Sequence, residues 1–188
     1  MTDLKAELHS KLRDSRALLL SKLDGLSEYD LRRPLVASGT NLLGLVKHLA
    51  GIEYVYLTTS LGRPKPDILA WEEDGSVWDG ADMWAQPSET SEYLIDLYRR
   101  ACASGDETIA ALDLSAPASV PHWPEERRQS TLGVLLIRMV DETAHHAGHA
   151  DIVRELIDGQ GGSDAHLLDQ PGWQTYTTNI QAAADTFR

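Results

Sequence analysis

The chain has 188 residues and a formal net charge of −12, from 17 Lys and Arg against 29 Asp and Glu. Its basic residues occur as scattered pairs, such as Arg32 with Arg33 and Arg99 with Arg100, which argues against a nucleic-acid backbone as partner. The longest apolar run, 134–137, stops at Arg138 and falls far short of the ~20 residues of a membrane span.

The single Cys102 forbids an internal disulfide, and the N-terminus shows no basic-then-apolar leader, so the expected compartment is the cytoplasm. A chain of this length buries a core without a structural metal. One domain over residues 1–188 is therefore expected, and a metal site in it would serve chemistry.

In chain order, Leu4, Leu8, Leu12, Leu19 and Leu23 recur at helical spacing until Asp24 and Gly25 stop the run. A second helix is expected from about Asn41 to Ser60, capped by the Thr40 hydroxyl, with a stripe of Leu42, Leu45, Val46, Leu49, Ile52 and Tyr56. Residues 61–87 show no sustained period and read as a long loop. Its Asp74, Asp79 and Asp82 lack calcium-loop spacing and read as a solvated acidic surface. Its Trp71, Trp78 and Trp84 either wall a pocket or anchor the loop.

A third helix should follow Pro87 and Ser88 and run to about Leu112. After a Pro-rich loop, Ser130 and Thr131 cap the longest helix, 132–158, which Gly159 ends. The tail holds a Gly-rich turn at 159–162, a break at Pro171 and Gly172, and a short helical pattern from Trp173 to about Phe187. Strand-like alternation is absent. The pattern predicts an all-α protein, an antiparallel four-helix bundle with a long loop between the second and third helices and a short C-terminal helix.

The longest helix carries a cluster of Glu142, His145, His146 and His149. At about 100° per residue, with Glu142 at zero, His146 falls near 40° and His149 near −20°, on the side of Leu135, Met139, Val153, Leu156 and Ile157. Glu142, His146 and His149 are thus expected to face the core, with His145 at the rim. A carboxylate and imidazoles in an apolar interior need a partner or a metal. His48 of the second helix supplies the missing imidazole, beside Gly44 and Gly51, which leave room next to its ring. A Glu and a His at i and i+4 with a His from a neighbouring helix make three ligands with open positions. The plainer alternative is a set of hydrogen-bonded core histidines, with Glu142 paired to an Arg.

The segments 38–53, SGTNLLGLVKHLAGIE, and 141–159, DETAHHAGHADIVRELIDG, resemble the two signature helices of the DinB-like superfamily. The likeness follows helix order and spacing over most of the chain and is nearest the branch related to mycothiol-dependent maleylpyruvate isomerase. It implies a four-helix bundle, commonly a homodimer, holding a divalent metal through His48, Glu142 and His146. Zinc is the first expectation, with nickel, iron or manganese as alternatives. Many members have His where this chain has Glu142; the isomerase branch has a carboxylate there, which favours chemistry on a low-molecular-weight thiol such as mycothiol. His149 stands where many members have Gln, so it reads as a fourth ligand, a donor to a ligand or a general base.

Cys102 has no neighbouring His in sequence and reads as an inert thiol. His9, His122 and His166 are isolated and read as surface or capping residues. Nucleotide-loop, serine-hydrolase and zincin motifs are absent. The expected function is that of a metal-dependent enzyme activating a thiol or water for attack on a small electrophile. Its partners are then a small-molecule substrate and a second copy, without nucleic acid or membrane. The alternative is a non-enzymatic metal-binding stress-response module.

Overall fold

The computed structural model describes residues 3–160, 162 and 166–188. Four long helices form the body: α1 (Leu4–Ser21), α3 (Leu42–Leu57), α5 (Ser91–Ala111) and α6 (Leu132–Asp158). Shorter helices α2 (Glu28–Arg32) and α4 (Ala70–Glu73) lie in the connections, and α7 (Gln170–Asp185) follows the body. Among the described residues the only sheet is a two-stranded antiparallel ladder of β1 (Pro117–Ser119) and β2 (Gln129–Thr131), with Pro117 opposite Thr131. No described helix is long and apolar enough to cross a membrane.

Local chemistry sets the helix ends. Thr131 caps α6 as expected, and Gly159 ends it at φ 74°, a left-handed conformation that costs a glycine little. The α3 cap is Asn41 rather than Thr40: its side chain accepts the Gly44 N–H at 2.8 Å. The expected break at Pro171 and Gly172 is instead the first turn of α7, capped by Asp169. Proline is tolerated there because the first helical N–H groups have no intrahelical acceptor to lose. The Gly-rich turn expected at 159–162 falls partly outside the described residues.

The contacts fix the helix directions. Lys5 Nζ reaches the Leu112 carbonyl at 2.7 Å, so α1 begins where α5 ends. Lys47 near the start of α3 meets Glu89 just before α5, and Thr58 after α3 meets Ser104 further along α5, so α3 and α5 run the same way. The Lys22–Asp151 ion pair sets the end of α1 against the second half of α6. Thus α1 and α6 run one way, and α3 and α5 the other. Since α3 packs extensively on its parallel neighbour α5, the chain must travel back along the bundle between them. The long segment after α3 is that return path.

Two apolar clusters fill the interior, one around Leu19, Leu43, Leu49, Leu97 and Ala147, the other around Leu12, Leu57, Ile109, Leu135 and Met139. Between them lies an ionic layer. Arg16 donates from Nε and Nη2 to the fully buried Glu53 at 2.7 and 2.8 Å, and from Nη1 to Asp106 at 2.6 Å. His9, isolated in sequence, contacts that same Asp106 at 2.7 Å.

Candidate metal centre

The returning segment is tied to α3 by residues that allow close approach. A Cβ on Gly44 would sit 1.9 Å from the Met83 carbonyl oxygen, so only glycine lets the backbone at Met83 lie against the helix. A Cβ on Gly51 would meet Trp71 Nε1 and Glu72 Oε1 in ordinary contact, at 3.6 and 3.7 Å. The space beside these glycines is therefore filled by the segment itself and is not open room beside His48. Asn41 Nδ2 donates to the Met83 carbonyl at 3.2 Å, so the residue that caps α3 also holds the segment. Lys47 donates to the Trp84 carbonyl and lies 4.4 Å from the buried Trp71 ring. Trp71 thus anchors the loop, whereas Trp78 and Trp84 are exposed.

This packing delivers Asp82 to His48. Asp82 is only 8% exposed, and its Oδ2 lies 2.6 Å from His48 Nδ1. The expectation of a solvated acidic loop therefore fails at Asp82. With the carboxylate accepting, Nδ1 carries the proton and Nε2 keeps its lone pair. Nothing in the sequence marked Asp82 from Asp74 or Asp79, because the distinction depends on where the segment crosses α3.

His48 Nε2 faces α6. It lies 3.6 Å from Glu142 Oε1, which is 3.4 Å from His146 Nε2. One donor atom from each of His48, Glu142 and His146 falls within 4.8 Å of the others. The His48 and His146 rings meet edge to face, with centroids 5.0 Å apart. Burial, and after it the neighbouring His48, push the His146 pKa below the ordinary imidazole value, so His146 is neutral at pH 7 with a lone pair to offer. Two imidazole nitrogens and a carboxylate oxygen converging on one point, one imidazole oriented by a buried carboxylate, are a donor set that fits a divalent cation.

The other histidines divide. His145 is exposed beside Asp141, as expected of a rim residue. His149 does not face the core: it is exposed, and its Nδ1 lies 3.4 Å from His146 Nδ1, outside the three-residue group. The helical wheel was centred on large apolar side chains, including Leu156, which is 54% exposed. The fully buried line of α6 instead runs through Leu136, Met139, Thr143, Ala147 and Ala150. Small residues there admit the neighbouring helices, and Glu142 and His146 lie half-buried along the border of that line. The pairing of Glu142 with an Arg also occurs: Arg138 Nη2 lies 3.7 Å from Glu142 Oε2.

Cys102 lies apart from this site. Burial, and next the charge of Glu53, raise its pKa well above the ordinary thiol value, which leaves it an inert thiol. His122 lies in an aromatic contact with Tyr56 and Trp78. His166 is exposed.

A sequence-family model described as mycothiol-S-transferase matches residues 7–159. Among solved structures, the crystal structure of a conserved protein from Enterococcus faecalis has a TM-score of 0.61 and 14% sequence identity, covering 85% of this chain and 99% of its own. At that identity the likeness is one of fold. Comparison with curated proteins finds no match.

Proposed function

The chain belongs to the mycothiol-S-transferase family, and from that premise we propose that it is a metal-dependent transferase whose divalent cation, zinc first among the candidates, is held by His48, Glu142 and His146. The observation that carries this reading is the convergence of the three donor atoms within 4.8 Å, one of them on an imidazole fixed by Asp82 at 2.6 Å. A bound cation there would supply Lewis acidity, bringing the pKa of a thiol or water ligand toward neutrality and so providing a nucleophile at physiological pH.

The chain's own residues prepare that position. Asp82 holds the His48 ring with Nε2 directed at the site. His146 stays neutral because burial disfavours its cation, so it donates a lone pair without first losing a proton. Glu142 contributes the single negative charge of the set, leaving excess positive charge on a divalent ion to act on a ligand. His149, at the exposed side of His146, restrains that ring through the 3.4 Å contact and stands where it can exchange a proton with solvent. A low-molecular-weight thiol, with mycothiol as the family's own example, attacks a small electrophile in this scheme, and the protein works as a homodimer.

The test is metal analysis of protein purified without an affinity tag, joined to a thiol-transfer screen. Wild type should retain about one equivalent of metal. His48→Ala, Glu142→Ala and His146→Ala should lose it, and His145→Ala should keep it. Loss of metal in His145→Ala alone would refute the ligand set. Metal retention without transfer to any electrophile would favour the binding module over the enzyme.

A further inference from the structure

Beside the metal position, toward the C-terminal end of α3, α6 carries Arg138, whose side chain is 40% exposed. Its Nε is buried without a hydrogen-bond partner, and its Nη2 reaches Glu142 only at 3.7 Å. A guanidinium carries five donors in a planar fork suited to a carboxylate. The rest of its surroundings are aromatic. The guanidinium carbon lies 4.9 Å from the Tyr56 ring centroid and 5.6 Å from that of Trp123. Trp123 Nε1 donates to Tyr56 Oη at 3.2 Å, which locks the two rings together. His122 and the exposed Trp78 extend this wall, with centroids 6.2 Å apart. Burial, and after it the charge of Arg138, hold His122 below the ordinary imidazole range; the guanidinium of Arg127 lies 5.5 Å from the Trp123 ring centroid.

We propose that Arg138 is the substrate-recognition residue of this site, receiving a carboxylate of the small molecule whose reacting end lies at the metal position. The inference rests on the metal reading above and goes beyond it by assigning a substrate class: a compact, carboxylate-bearing molecule. Spacing sets the length. Arg138 precedes Glu142 by four residues, just over one helical turn and about 6 Å along the axis, so the carboxylate and the reacting atom are separated by a short chain of a few atoms. Charge sets the order of binding. In the metal-free protein Glu142 is the carboxylate within ion-pair reach of Arg138 among the described residues. Once that carboxylate is shared with a cation, the guanidinium is no longer neutralised and the aromatic wall holds it in place to accept another anion.

Titration of the zinc-loaded full chain with succinate, followed by calorimetry and by Trp fluorescence, tests this, alongside zinc affinity measured by competition with a chromophoric chelator. Wild type should bind succinate saturably, and Arg138→Gln should weaken that binding by about tenfold or more. Zinc affinity in Arg138→Gln should stay within about threefold of wild type, and Arg138→Lys, which keeps the charge but loses the fork, should fall between. Equal succinate binding by Arg138→Gln and wild type, or no saturable binding by wild type, overturns the inference and leaves the metal reading intact. A parallel loss of zinc and succinate affinity also overturns it, since Arg138 would then serve only to support Glu142. Failure of wild type to bind zinc overturns both.

Discussion

Replacing Asp82 by Asn tests the link between the returning segment and the metal position. The Asp82–His48 contact is short, 2.6 Å, and both side chains are largely buried, 11% and 16% exposed. A hydrogen bond to a charged group in such surroundings contributes roughly 1.5–3 kcal/mol. Partners of metal-bound imidazoles change affinity by about 10–100-fold, or roughly 1.4–2.7 kcal/mol, so the two scales agree. Asn can still accept from Nδ1–H through its side-chain oxygen and preserve the tautomer. Asp82→Asn is therefore expected near the lower end, about a tenfold loss of metal affinity. Asp82→Leu loses both acceptor and charge and frees the imidazole to rotate, which places it near a hundredfold. Gly44→Ala is the independent perturbation: its Cβ would collide with the Met83 carbonyl 1.9 Å away, pushing the segment and Asp82 off His48 without touching either residue. Zinc affinity by competition with a chromophoric chelator at pH 7 reads all three, with circular dichroism confirming unchanged helicity. Asp82→Asn and Asp82→Leu both within twofold of wild type, while His48→Ala loses the metal, would refute the orienting role of Asp82.

Chelation should leave the helical circular dichroism intact and lower the melting temperature, because two apolar clusters form the interior without the site; metal at about a hundred times its dissociation constant restores roughly 2.7 kcal/mol, a few degrees in a domain of this size. Glu53→Gln removes the charge opposite the buried Arg16 and should cost about 3 kcal/mol, read as a lowered urea midpoint. Acid stability follows from Asp106: burial pushes its pKa up, but the hydrogen bond and charge of Arg16, then His9, outweigh that and hold it below the ordinary carboxylate value. Its contribution is present above the unfolded value of about 3.9 and is lost as pH falls through the lower folded value. Asp106→Asn should accordingly flatten the dependence of melting temperature on pH between about 5 and 3.

The four long helices and their approximate ends were legible in the sequence because each depends on local chemistry, whereas the grouping of His48 with Glu142 and His146 was implied by the resemblance to the DinB-like signature helices. Helical spacing of Leu residues, the Thr131 cap and the Gly159 stop act within a few residues of chain, and i, i+4 spacing places Glu142 and His146 on adjacent turns of one helix. Which side of α6 is buried was legible only in part. Large apolar residues such as Leu156 drew the wheel toward themselves, whereas Thr143, Ala147 and Ala150 line the buried face, and a small side chain reveals its packing role only when the neighbouring helix is in place. His149 left the core for that reason. The parallel course of α3 and α5 belongs to tertiary structure alone, and it turns an unpatterned stretch into a return path across α3. That path separates Asp82 from its acidic neighbours Asp74 and Asp79, gives Gly44 its reason to lack a side chain, and sets Arg16, Glu53 and Asp106 in one layer from three helices. Such relations join residues tens of positions apart, and the free energy that fixes them comes from packing and desolvation between helices, which no local pattern encodes.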